Sequence, residues 1–126
     1  MGRWSQSRKR GTAAPYFPPN AIPDPPGDSD WTWSQDPDGP NGIANLDISL
    51  PAGAIGWQLW GSLNGGPFAY GDQDPAGTGF LTFDFGGATP GDLAAGKVRW
   101  IVSGAGEGDP DTVYSDFSAT KSFDET

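Results

Sequence analysis

Turn-forming residues punctuate this chain at such short intervals that it is restricted to a succession of short extended segments. Glycine and proline supply 20 and 13 of the 126 residues. They gather where apolar runs stop, as in Asp36-Pro37-Asp38-Gly39-Pro40-Asn41-Gly42, Asn64-Gly65-Gly66 and the glycine- and acid-rich stretch 104–112. Proline withholds an amide donor, and Asn-Gly pairs enter the left-handed conformations that tight hairpins need. Between these signals the apolar residues recur with period two. Leu46, Ile48 and Leu50 share one face of 44–50, and Trp57, Leu59 and Gly61 share one face of 55–63, opposite Gln58 and Trp60. Leu81, Phe83 and Phe85 oppose Thr82 and Asp84 in 79–86, while Val98, Trp100 and Val102 oppose Arg99 in 97–103. With further runs at 30–34, 67–71 and 113–123, the pattern predicts an all-β sandwich of about seven strands and no amphipathic helix.

Valine, isoleucine and leucine are scarce, so aromatic side chains must fill the interior. Six tryptophans and seven phenylalanines bring the large apolar areas that argue against disorder. The expected core is Leu46, Ile48, Trp57, Leu81, Phe83, Phe85, Val98, Trp100 and Val102. Trp31, Trp33 and Trp60 fit either the core or an exposed platform of the kind on which a sugar ring could stack.

Residues 1–30 are different in kind. Pro15, Pro18, Pro19, Pro23, Pro25 and Pro26 exclude a helix or a central strand and favour an extended arm, leaving 31–126 for the sandwich. Charge divides along the same line. Arg3, Arg8, Lys9 and Arg10 give the first ten residues +4, whereas all 16 acidic residues lie from Asp24 onward, and the remainder of the chain carries −13. A basic tail beside an acidic body suits attachment of the tail to a partner while repulsion keeps the bodies apart. Trp4, Tyr16 and Phe17 supply bulky anchors in that arm, so the expected partner-binding residues are Arg3, Trp4, Arg8, Lys9, Arg10, Tyr16 and Phe17. Four basic residues without a basic domain surface favour a protein partner over nucleic acid. The charged start is followed by no apolar stretch, so it does not read as a secretory signal, and no run reaches the length of a membrane-spanning helix.

Histidine and cysteine are absent. This excludes disulfides, His-based triads, cysteine nucleophiles and most zinc sites. The aspartates sit largely in turn sequences, where the carboxylate bonds its own backbone, so neither an enzymatic activity nor a cofactor is expected. One acidic group merits a metal reading: Asp72 and Asp74 of one loop, with Glu107, Asp109 and Asp111 of another, would meet at one end of a sandwich and offer hard oxygen ligands to calcium.

Two segments carry a family resemblance. Leu93-Ala94-Ala95-Gly96-Lys97-Val98-Arg99-Trp100-Ile101-Val102 resembles the turn into strand F of fibronectin type III and wider immunoglobulin-like domains, and Val113-Tyr114-Ser115-Asp116-Phe117-Ser118-Ala119-Thr120 resembles their final strand. The chain departs from that pattern in having no tryptophan in strand B and no tyrosine at the strand F corner. The resemblance implies an immunoglobulin-like sandwich over roughly 31–124. A compact head of this kind on an extended arm further resembles small bacteriophage virion proteins, such as capsid decoration, tail or neck components. That likeness implies a non-enzymatic structural role in the virion, after synthesis in the host cytoplasm. The expected partners are a major capsid or tail protein and further copies of the chain, with no membrane and a host polysaccharide as a further ligand. The alternative is a carbohydrate-binding or adhesive sandwich module.

Overall fold

The computed structural model describes residues 22–126, and every regular element among them is a β-strand. The strands are β1 (Trp31–Gln35), β2 (Ile43–Ile48), β3 (Gly56–Leu63), β4 (Ala69–Asp74), β5 (Gly79–Asp84), β6 (Leu93–Ser103), β7 (Val113–Tyr114) and β8 (Lys121–Asp124). They form two antiparallel sheets. One runs β1-β2-β5, and the other runs β4-β3-β6, with β7 and β8 both pairing the far side of β6.

The period-two faces predicted from sequence meet between the sheets. Trp31, Trp33, Ala44, Leu46 and Ile48 come from one sheet, and Trp57, Leu59, Val98 and Trp100 from the other, in a single buried cluster. Trp57 and Trp100 lie opposite each other in the β3–β6 register. Trp31 and Trp33 are therefore core residues, not a sugar platform. The Trp33 indole donates its N–H to the Ala94 carbonyl (3.2 Å). Leu81, Phe83 and Phe85 are half-buried against this cluster, because β5 is an edge strand that covers the core from one side. Val102 is buried as expected but stands outside the central cluster.

Two glycines make room for the rings. Gly61 of β3 and Gly96 of β6 are register partners. A Cβ on Gly96 would lie 3.1 Å from the Trp33 ring, and one on Gly61 would lie 3.1 Å from the Phe85 ring. Trp33 and Phe85 then meet edge to face at 5.9 Å, a favoured aromatic geometry. The pair of glycines forms a trough into which a flat side chain sinks, so an interior poor in aliphatic residues still closes.

Several boundaries differ from the sequence reading. The segment read as 67–71 is the strand Ala69–Asp74. The strand read as 97–103 begins at Leu93, since Leu93–Gly96 pair with Lys121–Asp124. The last segment, read as one strand over 113–123, is broken into β7 and β8. In the gap, serine hydroxyls replace backbone acceptors. Ser115 Oγ accepts the Trp100 N–H (2.8 Å) and Ser118 Oγ accepts the Val98 N–H (3.1 Å). The Ser115 and Ser118 amides donate in turn to the carbonyls of Trp100 and Val98. Three residues beyond Ser118, Lys121 fastens the segment that leads into β1: its ammonium bonds the carbonyls of Asp28 and Trp31, pairs with Asp28 and lies 4.7 Å from the Trp31 ring centroid.

Candidate functional site

The outer face of the five-stranded sheet carries the polar members of the alternating patterns. Gln58 and Trp60 project from β3, Tyr70 and Gln73 from β4, and Lys97 and Arg99 from β6. The interrupted last segment adds Tyr114 and Phe117. Its repeat Tyr114-Ser115-Asp116-Phe117-Ser118 has a period of three and lies in the irregular stretch between β7 and β8. Such a period turns both serines to the β6 amides and both rings to the cations of β6.

The result is a ladder of cations and rings. The Arg99 guanidinium lies 3.6 Å from the Tyr114 ring centroid, 4.6 Å from that of Phe117 and 5.8 Å from that of Trp60. Lys97 lies 4.3 Å from Phe117 and 4.6 Å from Phe68. Trp60 meets Phe117 and Tyr70 edge to face at 5.9 and 6.5 Å. Cations over ring faces are held by the ring quadrupole, more strongly where water is partly excluded.

Gln58 organises the ladder from below. Fully buried, it accepts the Trp60 indole N–H (2.8 Å) and the Arg99 Nε–H (2.9 Å) on one oxygen, and donates its amide to Gln73 (3.2 Å) and Tyr114 (3.3 Å). Its hydrogen-bonding capacity is thereby used in full. Gln73 carries the network outward, accepting the Glu107 N–H (2.9 Å) and donating to the Ala105 carbonyl (3.3 Å), which docks loop 104–112 on β4. Beside the ladder, that loop, Arg99 and Tyr114 line an open pocket of about 520 Å³.

Electrostatics follow from this packing. Burial draws the Arg99 guanidinium below its ordinary value, opposed by Tyr114 and Glu107. Burial pushes the Tyr70 phenol up, and the Asp72 and Glu107 charges add to it.

Asp72 and Asp74, expected in a loop, lie in β4, where Gln73 between them accepts the Glu107 N–H of loop 104–112, and the acidic side chains of the two segments do not gather at one point. Asp72 accepts the Gln73 amide (2.7 Å), Asp74 that of Ala76 (3.0 Å), and Asp109 those of Ala105 (2.9 Å) and Asp111 (3.0 Å). Asp74 and Asp109 close local turns, and Asp72 bonds the adjacent amide within β4. Among the described residues no group of three acidic side chains is arranged to hold a metal ion. The expected arm residues Arg3, Trp4, Arg8, Lys9, Arg10, Tyr16 and Phe17 lie outside the described residues.

Of the three tryptophans open to a surface role, Trp60 alone stands on the outer face. In sequence, Arg99 and Gln58 are marked only as facing away from the core, and Phe117 only as part of the last segment. The signal for Phe117 was the Tyr-Ser-x-Phe-Ser repeat, in which rings and serines recur together every three residues. Comparison with protein-family models, curated proteins and solved structures finds no match for the chain.

Proposed function

We propose that this chain is a non-enzymatic structural protein of a bacteriophage virion, an immunoglobulin-like head of the fibronectin type III kind that attaches to capsid or tail through its N-terminal arm and stabilises or decorates the particle. The observation that carries this reading is the separation of charge, +4 in the first ten residues against −13 in the rest. Such a division favours a tail engaging a partner and heads that repel one another, as repeated copies on a shell require. The three-stranded and larger sheets, in the order β1-β2-β5 and β4-β3-β6-β7, support the immunoglobulin-like part of the proposal.

The test is co-sedimentation of tagged chain with phage particles made from the genome that encodes it. A variant starting at Ile22 is expected to lose particle occupancy while keeping its β-sheet circular dichroism. Replacing Trp4, Tyr16 and Phe17 with alanine should weaken attachment more than neutralising Arg3, Arg8, Lys9 and Arg10, since anchor aromatics can exceed about 2 kcal/mol and exposed ion pairs contribute about 0–1 kcal/mol. Parental occupancy of the arm-deleted head would place attachment on the sandwich and defeat the proposal.

A further inference from the structure

The ladder fixes one cation over aromatic rings, with Glu107 acting on it through its charge but no carboxylate among the described residues within ion-pair distance. Arg99 is held by three rings and by Gln58, so its guanidinium is immobilised before any ligand arrives. Its Nε–H is used by Gln58. Among the described residues the one ion pair is Lys121–Asp28, and the first 21 residues contain no acid, so no carboxylate of the chain pairs with the guanidinium's Nη edge.

That cation lines the pocket of about 520 Å³, together with Tyr114 and the loop residues Gly106, Glu107, Gly108, Asp109 and Pro110. The pocket is open on one side, with room for a single sugar residue against its wall. The wall is preformed: Gln73 holds the loop at Glu107 and Ala105, Asp109 bonds Ala105 and Asp111, and Thr112 bonds Gly106 in both directions. The Asp109 carboxylate is consumed by this, whereas the Glu107 carboxylate accepts no hydrogen bond from the described residues. The outer edge of the Arg99 guanidinium, the Glu107 carboxylate, the Tyr114 phenol and the apolar surface of Pro110 thus line one open pocket. β6 is paired on both sides, so an incoming peptide could not add to it as a strand, and recognition must run through side chains.

We propose that this pocket binds a sugar acid, such as a uronate residue of an acidic polysaccharide. Arg99 takes its carboxylate through the planar fork, the geometry in which arginine reads carboxylates two bonds at a time. Glu107 accepts from ring hydroxyls, and the C–H face of the sugar lies against Tyr114 and Pro110. The acidic surroundings disfavour approach of a polyanion, so individual affinity is modest and multiple copies would be needed for firm adhesion. The inference does not depend on how the chain is attached: removing the arm tests attachment, and replacing Arg99 tests the pocket.

The experiment is an NMR titration of the full chain with a galacturonate trisaccharide, its neutral galactose counterpart, acetate and a short acidic peptide. The Trp60 indole and Arg99 Nε–H signals report binding, because both protons bond the same Gln58 oxygen. Saturable shifts with galacturonate are expected below about 10 mM, at least about tenfold tighter than with the neutral sugar. Arg99→Lys should lose at least about tenfold in affinity, and Glu107→Gln, in an exposed loop that leaves the ladder intact, severalfold. Equal binding of the neutral sugar, no saturation with galacturonate, or insensitivity to Glu107→Gln would overturn the assignment. Acetate or the acidic peptide binding as tightly as galacturonate would also overturn it, showing a carboxylate site without sugar recognition.

Discussion

Glycine at positions 61 and 96 decides how this core closes. The two residues face each other across β3 and β6, and the ring atoms beside Gly96 belong to Trp33, which is buried and cannot swing aside. Gly96→Ala should therefore cost about 1–3 kcal/mol, the usual penalty for overpacking a filled interior. Differential scanning calorimetry should show this as a fall in Tm of several degrees, at about 4–8 °C per kcal/mol for a domain of this size. An unchanged Tm would mean that the trough has slack. Alternation in Trp-Thr-Trp places both indoles on one face but does not say which face is inward, and the space beside Trp33 is made by a glycine 63 residues farther along.

At the scale of elements, the strands were legible because each apolar run keeps period two between strong turn signals. The break in the last strand was not, because Val113 to Phe123 alternates well enough to imitate a continuous strand. Only the pairing of Ser115 and Ser118 with β6 shows that hydroxyls act there in place of backbone carbonyls. Ser118→Ala removes the acceptor of the buried Val98 N–H, and an orphaned buried amide costs about 1–3 kcal/mol. Hydrogen exchange should accelerate at Val98 while amides of the β2–β5 ladder keep their protection relative to global opening. The loops are tied differently. Asp109 is held below the ordinary carboxylate range by the backbone amides of Ala105 and Asp111, and Asp92 by the Thr89 amide and the Asn64 side chain. Because their folded values lie below the unfolded value of about 4, both carboxylates stabilise the fold fully above that pH and lose the contribution as pH falls through the lowered values. On acidification, amides in 89–92 and 104–112 should lose protection before those of β2 and β5. Simultaneous loss in loops and sheet would contradict this.

Across the whole molecule, the candidate site is assembled from parts of the chain that say little separately. Gln58, Gln73, Arg99, Glu107 and Tyr114 come from four strands and a loop, and each reads in sequence as an ordinary outward-facing polar residue. What joins them is the buried Gln58 amide, and a single glutamine in an alternating strand gives no sign of burial. The division of charge, by contrast, is legible at once, since composition alone separates the basic first ten residues from the acidic remainder. The interrupted last segment, β7 and β8, forms one edge of the five-stranded sheet. Its outer border would ordinarily offer a row of free amides and carbonyls to any neighbouring sheet, the usual starting point of edge-to-edge aggregation. Here the Ser115 hydroxyl also donates to the Asp116 carbonyl (2.8 Å) and the Ser118 hydroxyl to that of Ala119 (2.9 Å). Two acceptors on that border are already occupied and the hydrogen-bonding register is broken midway, so crowded copies find no continuous template there on which to stack.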